Sequence, residues 1–173
     1  MKLLKGLIVV LSIILIINIG LIVGTKTKMF TITGVDGHSM MPTLNNNSIL
    51  VEINDDLFHL KRGDIVTFDQ EGKSYVKRII GLPGETVEFS NSSVKINGEV
   101  IEESYVSYDY IGLTTEEKEQ RKKVTVTYSA YKYILDEDEY FVMGDNRNAS
   151  YDSRIFGPIT ENKIKMKVVY HTK

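Results

Sequence analysis

The feature that most constrains this chain is the aliphatic run at residues 7–23, LIVVLSIILIINIGLIV, broken only by Ser12, Asn18 and Gly20. Flanked by Gly6 and Gly24, it matches the ~20 residues that a helix needs to cross ~30 Å of hydrocarbon. A core helix of this length would not be apolar on every side. A cleaved secretory leader would carry a shorter apolar stretch, ~7–15 residues, ending in a small-x-small site. Here the run passes into Gly24-Thr25-Lys26-Thr27-Lys28. The expectation is an uncleaved signal-anchor: a tail at 1–5, a transmembrane helix at 6–24 and a body at 25–173. Its orientation is barely set by charge, because Lys2 and Lys5 on one side face Lys26 and Lys28 on the other.

The 173 residues leave room for one compact domain beyond that segment. With only Lys2 and Lys5 ahead of residue 25, the remainder holds 19 basic against 23 acidic residues, a net of −4. Such a body carries no basic stripe, and nucleic acid is not an expected partner. There is no cysteine, so disulfides, thiolate metal sites and a cysteine nucleophile are excluded. His38, His59 and His171 are scattered without ligand spacing, so no metal or cofactor is expected.

After residue 28 the apolar spacing alternates with a period of two, which predicts a mainly β body. Strands are expected at 30–35, 48–52, 64–68, 75–80, 86–89, 93–96, 123–128, 139–143 and 165–171. Asn97-Gly98 is read as a two-residue hairpin turn, since both residues tolerate positive φ. Residues 114–123, TTEEKEQRKK, open with a Thr-x-x-Glu capping box and place acids before bases, as a helix dipole favours. With no apolar face, this stretch reads as a solvated surface helix or excursion with no chemistry of its own.

Four segments concentrate unusual residues. In Gly37-His38-Ser39-Met40-Met41-Pro42-Thr43-Leu44, a serine sits on backbone constrained by glycine and proline. Taken alone, such a serine is ordinarily a hydrogen-bonded turn residue. Lys77 lies within the aliphatic strand Tyr75-Val76-Lys77-Arg78-Ile79-Ile80, ahead of Gly81-Leu82-Pro83-Gly84. A strand lysine usually carries its charge out to solvent. Stripped of water, however, it can lose ~3–5 pKa units and serve as a base near neutral pH. The third segment, Gly144-Asp145-Asn146-Arg147-Asn148-Ala149-Ser150-Tyr151-Asp152-Ser153-Arg154, packs polar residues so densely that burial would require them to bond one another. The fourth, Lys61-Arg62-Gly63-Asp64, reads as a turn into a strand.

In this order behind one anchor, the four segments resemble type I signal peptidases, the Ser/Lys peptidases that remove signal peptides from exported proteins. The resemblance implies a signal-peptidase-like antiparallel β-sheet catalytic domain behind one transmembrane helix, with an inserted subdomain at about 87–137. It implies that Ser39 is the nucleophile and Lys77 the general base, with the Ser39 main-chain N–H in the oxyanion hole. Ser150 would hydrogen-bond and orient the Lys77 amine. Asp145, Asp152 and Arg154 would hold the loop in shape, Arg78 would support the site, and Met40 and Tyr75 would line shallow pockets for Ala-x-Ala-like cleavage sites. Some family members carry a serine two places before the nucleophile; here that place is Gly37, so a side-chain oxyanion donor is lacking. His38 is expected to point away from Ser39, as adjacent side chains do in extended backbone.

The same resemblance implies a single-pass protein of the cell membrane, N-terminus cytoplasmic and body on the outer face, in the short form of bacteria bounded by one membrane. Expected partners are signal-peptide-bearing precursors, the lipid bilayer and the secretion translocon. An alternative is a dedicated processing or assembly factor for a few surface (pilus-type) proteins, though relatives that only assemble lack the Ser and Lys that this chain keeps. A self-cleaving Ser/Lys regulator would carry a soluble N-terminal part where this chain has its apolar run.

Overall fold

The structure is a computed structural model that describes residues 2–26, 29–54, 59–90, 93–109, 112–123 and 131–172. The apolar run lies in helix α1 (Lys2–Lys26). Its described apolar side chains are exposed all round, from Ile14 at 49% to Ile16 at 68%. Several α1 side chains, at residues 8, 9 and 21 among others, lie outside the described set. Among the described residues no helix is long and apolar enough to cross a membrane.

The body is built from antiparallel strands. β1 (Phe30–Gly34), β2 (Ile49–Asn54), β3 (Ile65–Gln70), β4 (Lys73–Gly81), β9 (Glu139–Met143), β10 (Ile159–Thr160) and β11 (Ile164–His171) form a seven-stranded sheet in the order β1-β2-β11-β3-β4-β9-β10. A smaller sheet, ordered β7-β6-β5-β8, holds β5 (Thr86–Phe89), β6 (Val94–Ile96), β7 (Glu99–Val100) and β8 (Tyr131–Ile134). The β6–β7 turn is made by Asn97 at φ 52° and Gly98 at φ 88°, as the dipeptide predicts. Helix α2 (Thr115–Lys123) follows the smaller sheet's third strand, and α3 (Ser153–Phe156) is a single turn. Of the strand expected at 123–128, residues 124–128 lie outside the described residues and Lys123 ends α2.

Strands β4 and β9 join the two sheets, and their sequences show why. Ile79 and Val142 pack in a cluster with Val66, Phe68 and Ile159 on one face. Ile80, Phe141 and Met143 pack with Val87, Phe89 and Ile96 of the smaller sheet on the other. A strand buried on both faces reads as a continuous apolar run rather than an alternation, as Ile79-Ile80 and Tyr140-Phe141-Val142-Met143 do. A third cluster, with Val35, Met40, Leu44, Leu50 and Ile65, sits under the turn that follows β1. Lys77 and Ser39 are thereby carried by rigid elements on either side of one opening.

Candidate active site

A groove of about 640 Å³ runs between β1 and the first half of β4. Its walls include Thr31 to Ser39 on one side and Ser74 to Lys77 on the other, with Tyr151 at one end. Among the described residues β1 is an edge strand and β9 pairs with β4 only from Arg78 onward, so both walls have edges without a strand partner, although the Val76 carbonyl accepts the Lys77 amine.

Ser39 opens a turn, not an extended segment: Met41 N–H donates to the His38 carbonyl and Leu44 N–H to that of Met40. His38 and Ser39 both border the groove, but the His38 ring packs where a Cβ on Gly112 would come 2.5 Å from its Nδ1, whereas Ser39 Oγ meets Lys77. Met40, expected along the pocket, is 1% exposed and packs in the core with Leu44 and Leu50; Tyr75 does line the groove. The Tyr75 ring stacks on Phe68 at 5.8 Å between centroids and leans on Tyr151 and Phe156.

Lys77 is 2% exposed, and its Nζ lies 2.8 Å from Ser39 Oγ. It also donates to the Val76 carbonyl at 2.8 Å. Burial lowers its pKa from 10.5 to about 8; Asp152 and Asp145 resist that fall, and the charge of Arg154 adds to it. A lysine with this pKa is partly neutral at physiological pH. Its lone pair can then accept the Ser39 proton along a contact already formed.

The loop at 144–154 frames the pair. Arg78 forks onto Asp145 through Nε (2.9 Å) and Nη2 (2.6 Å), and donates to the Gly63 carbonyl. Asp152 receives both Nε and Nη2 of Arg154 at 2.8 Å and the Gly144 N–H at 3.0 Å. Burial pushes the Asp152 carboxyl up, but Arg154, the Gly144 N–H and Ser150 outweigh burial and hold it below the ordinary carboxylate value. The expected hydrogen bond from Ser150 to the Lys77 amine is not made. Ser150 Oγ is buried without a well-formed partner among the described residues, while Lys77 bonds Ser39 and Val76 instead. Ser150 nonetheless stands at the site: a Cβ on Gly144 would come 2.3 Å from Ser150 Oγ and 2.4 Å from the Ser39 carbonyl. Gly144 is thus the point where the loop closes on the Ser39 backbone.

Sequence reasoning overlooked Thr43 and Asn146. Thr43 Oγ1 donates to Asp145 Oδ2. Asn146 donates from its side chain to the His38 carbonyl and from its N–H to the Ser39 carbonyl, both at 3.0 Å. Their positions inside the quoted motifs were the available signal, but a partner 102 or 108 residues away cannot be read from spacing. Also unforeseen is the strap from the smaller sheet. Glu103 forms a buried ion pair with Arg147, Ser107 exchanges backbone hydrogen bonds with Asp145 and Arg147, and the Tyr105 ring lies 4.0 Å from the Arg78 guanidinium.

With this geometry established, the relatives are informative. Residues 7–171 match the family model described as signal peptidase, peptidase S26. The chain belongs to that signal peptidase family. It is 38% identical over 146 residues to signal peptidase I of Bacillus amyloliquefaciens, covering 81% of this chain and 74% of that one. It is 34% identical over 146 residues to signal peptidase IB of Staphylococcus aureus, covering 79% and 74%. The crystal structure of a signal peptidase I from Enterococcus faecalis superposes with a TM-score of 0.50 at 30% identity, covering 65% of this chain and 98% of the other. As a member of the signal peptidase family, the chain is a serine endopeptidase with a mainly antiparallel β fold.

Proposed function

We propose that this signal peptidase removes N-terminal signal peptides from exported precursors at Ala-x-Ala-like sites, through a Ser39/Lys77 dyad. The observation that carries the reading is the 2.8 Å contact between Ser39 Oγ and a Lys77 amine whose pKa has fallen to about 8. The substrate lies extended between β1 and the free edge of β4, held by backbone hydrogen bonds as an added strand. Ser39 Oγ attacks the scissile carbonyl while its proton passes to Lys77 Nζ. The oxyanion meets the Ser39 N–H, which donates no hydrogen bond within the described residues. The Gly37 N–H is already engaged by Asn46 Oδ1 at 2.9 Å, so it is not the replacement for the missing side-chain donor. Collapse breaks the C–N bond, and the leaving amine takes the proton from Lys77. Water then attacks the acyl-enzyme as the neutral Lys77 amine takes its proton, and on collapse Lys77 returns that proton to Ser39 Oγ as the carboxylic acid leaves.

Asp145, Asp152, Arg154 and Arg78 position this pair through the loop, Ser150 stands beside it, and Tyr75 shapes the pocket. The all-round exposure of apolar α1 side chains supports a membrane anchor over 6–24, with residues 1–5 cytoplasmic and 25–173 on the outer face at the lipid surface where precursors emerge.

The test is cleavage of an Ala-x-Ala precursor by full-length protein in detergent. Ser39→Ala and Lys77→Met should each lower the rate by roughly 10³-fold or more while the fold is kept. In the wild type, kcat/KM should rise with pH through about 8, because only the neutral amine accepts the proton. Cleavage retained by either variant, or a rate that falls over that range, would reject the dyad.

A further inference from the structure

The groove has two sides about the nucleophile, and Ala-x-Ala recognition concerns only one of them. Under the proposed cleavage, the residues before the cut lie along β1 and Tyr75, so those after it leave on the opposite side of Ser39. The straight path there is closed, because the edge of β4 is covered from Arg78, which pairs with Met143 of β9. The departing chain is therefore turned out across the loop at 146–149 and the segment docked beside it. Ser107 is bridged to Asn146, and the Tyr108 carbonyl accepts the Asn148 side chain. Farther on, Gly112 meets the nucleophile turn itself: a Cβ there would come 2.5 Å from His38 Nδ1 and 2.7 Å from Met41 Sδ. Its φ of 79° and its lack of a side chain are what allow the approach.

Leu113 comes next, and it borders the groove. It is the single apolar side chain among residues 112–123, GLTTEEKEQRKK, and it is half-buried while residues 114–117 are exposed. Its own helix does not need it. An apolar residue just before a helix cap ordinarily packs against the fourth residue of the helix, and here that residue is Lys118. A lone surface leucine needs no explanation. This one stands beside the active-site groove, held by the Gly112 contact on one side and by the Thr114 cap on the other. Because Gly112 touches His38, the neighbour of Ser39, Leu113 is within reach of the first four residues after the cut, which span about 13 Å when extended.

We infer that Leu113 is a specificity-determining residue for the departing side of the substrate. Its side chain packs against an apolar side chain at one of the first four residues after the cleaved bond. The groove thereby favours precursors whose mature part begins with an apolar residue at that place over those with a polar one of the same size. The inference rests on the proposed signal-peptide cleavage and extends it to the far side of the cut. Its physical basis is removal of apolar area from water, so the preference is moderate and has no absolute requirement.

The experiment compares kcat/KM for precursor peptides that share one Ala-x-Ala site and carry Leu, Asn or Ala at each of the first four positions after it. The enzymes are full-length wild type, Leu113→Ala, Leu113→Gln and Leu113→Met. Leu and Asn are close in size, so their ratio isolates the apolar contact. Wild type should prefer Leu to Asn about fivefold at one position, the factor expected for burying part of a leucine side chain. Leu113→Ala should bring that ratio near one while still cleaving the Ala peptide, which also reports that the variant is folded. Leu113→Gln, which keeps the length of the side chain, should do the same and decides the matter if the alanine variant does not fold. Leu113→Met should retain the preference. A wild-type ratio near one at all four positions, or a preference undiminished in Leu113→Ala and Leu113→Gln, overturns the inference. Wild-type protein that cleaves none of the peptides would instead sink the proposed function.

Discussion

Two segments of this chain are polar almost throughout, 144–154 and 114–123, and they lie at opposite extremes of burial. In the first, Asp145, Asn146, Arg147, Ser150, Asp152 and Ser153 are all buried. In the second, residues 114–117 are exposed, and the contacts are those of a capped surface helix: Glu117 N–H meets Thr114 Oγ1, and the Glu117 carboxylate receives Thr114 N–H at 2.8 Å. The difference lies in residue type. Short Asp, Asn and Ser side chains with two forked arginines can satisfy one another in a small volume, whereas Glu, Lys and Gln on a helix are satisfied by water and by neighbours one turn away. Polar density alone therefore marks no site; density in groups that need fixed partners does.

The contrast can be broken most sharply at Asp152. Asp152→Ala leaves the Arg154 guanidinium, 7% exposed, without its carboxylate. Removing one partner of a buried pair costs about 3–5 kcal/mol, so chemical denaturation should show a loss of that size, with cleavage falling too. A null result there would make the loop no more structural than α2.

Lys77→Met tests the same region with the opposite sign. The native lysine is harder to protonate than in the unfolded chain, so its burial destabilises the fold fully below pH 8 and progressively less as pH rises toward 10.5. The variant should therefore melt higher than wild type near pH 7, with the gap narrowing between pH 8 and 10.5. A constant gap would show that packing, not charge, separates them.

In α2 the effects should be small and local. Thr114→Ala removes the cap, worth about 1 kcal/mol to the helix, and should speed amide exchange in α2 about fivefold without shifting global unfolding. Glu116→Ala should move stability by no more than about 0.5 kcal/mol and leave cleavage unchanged. A larger shift would mean that α2 is bound into the core.

Much of this contrast could be read beforehand. The Thr114–Glu117 box and the Asn97-Gly98 turn are local rules, and local rules survive folding. Ser39 and Lys77 taken singly read as an ordinary turn serine and strand lysine; it is the order of the four motif segments, and the family they resemble, that singles them out. What could not be read depends on contact at a distance. The strap through Glu103, Tyr105 and Ser107 touches the loop at Asp145 and Arg147 from some 40 residues away, and nothing in its own sequence announces that. Met40 was placed along the pocket by the family resemblance, whereas it packs in the core with Leu44 and Leu50. Ser150 was assigned to the Lys77 amine, whose hydrogen bonds go to Ser39 Oγ and the Val76 carbonyl.

The free edges of β1 and β4 carry one further consequence. A groove that grips a chain by its backbone grips the fragment upstream of the cut as well as the intact precursor, since both present the same peptide groups to the same edges. Under the proposed function, the released leader is therefore a competitor for its own cleavage site, and turnover requires that the fragment be drawn away. With the proposed membrane anchor, lipid into which its apolar stretch partitions would be the sink.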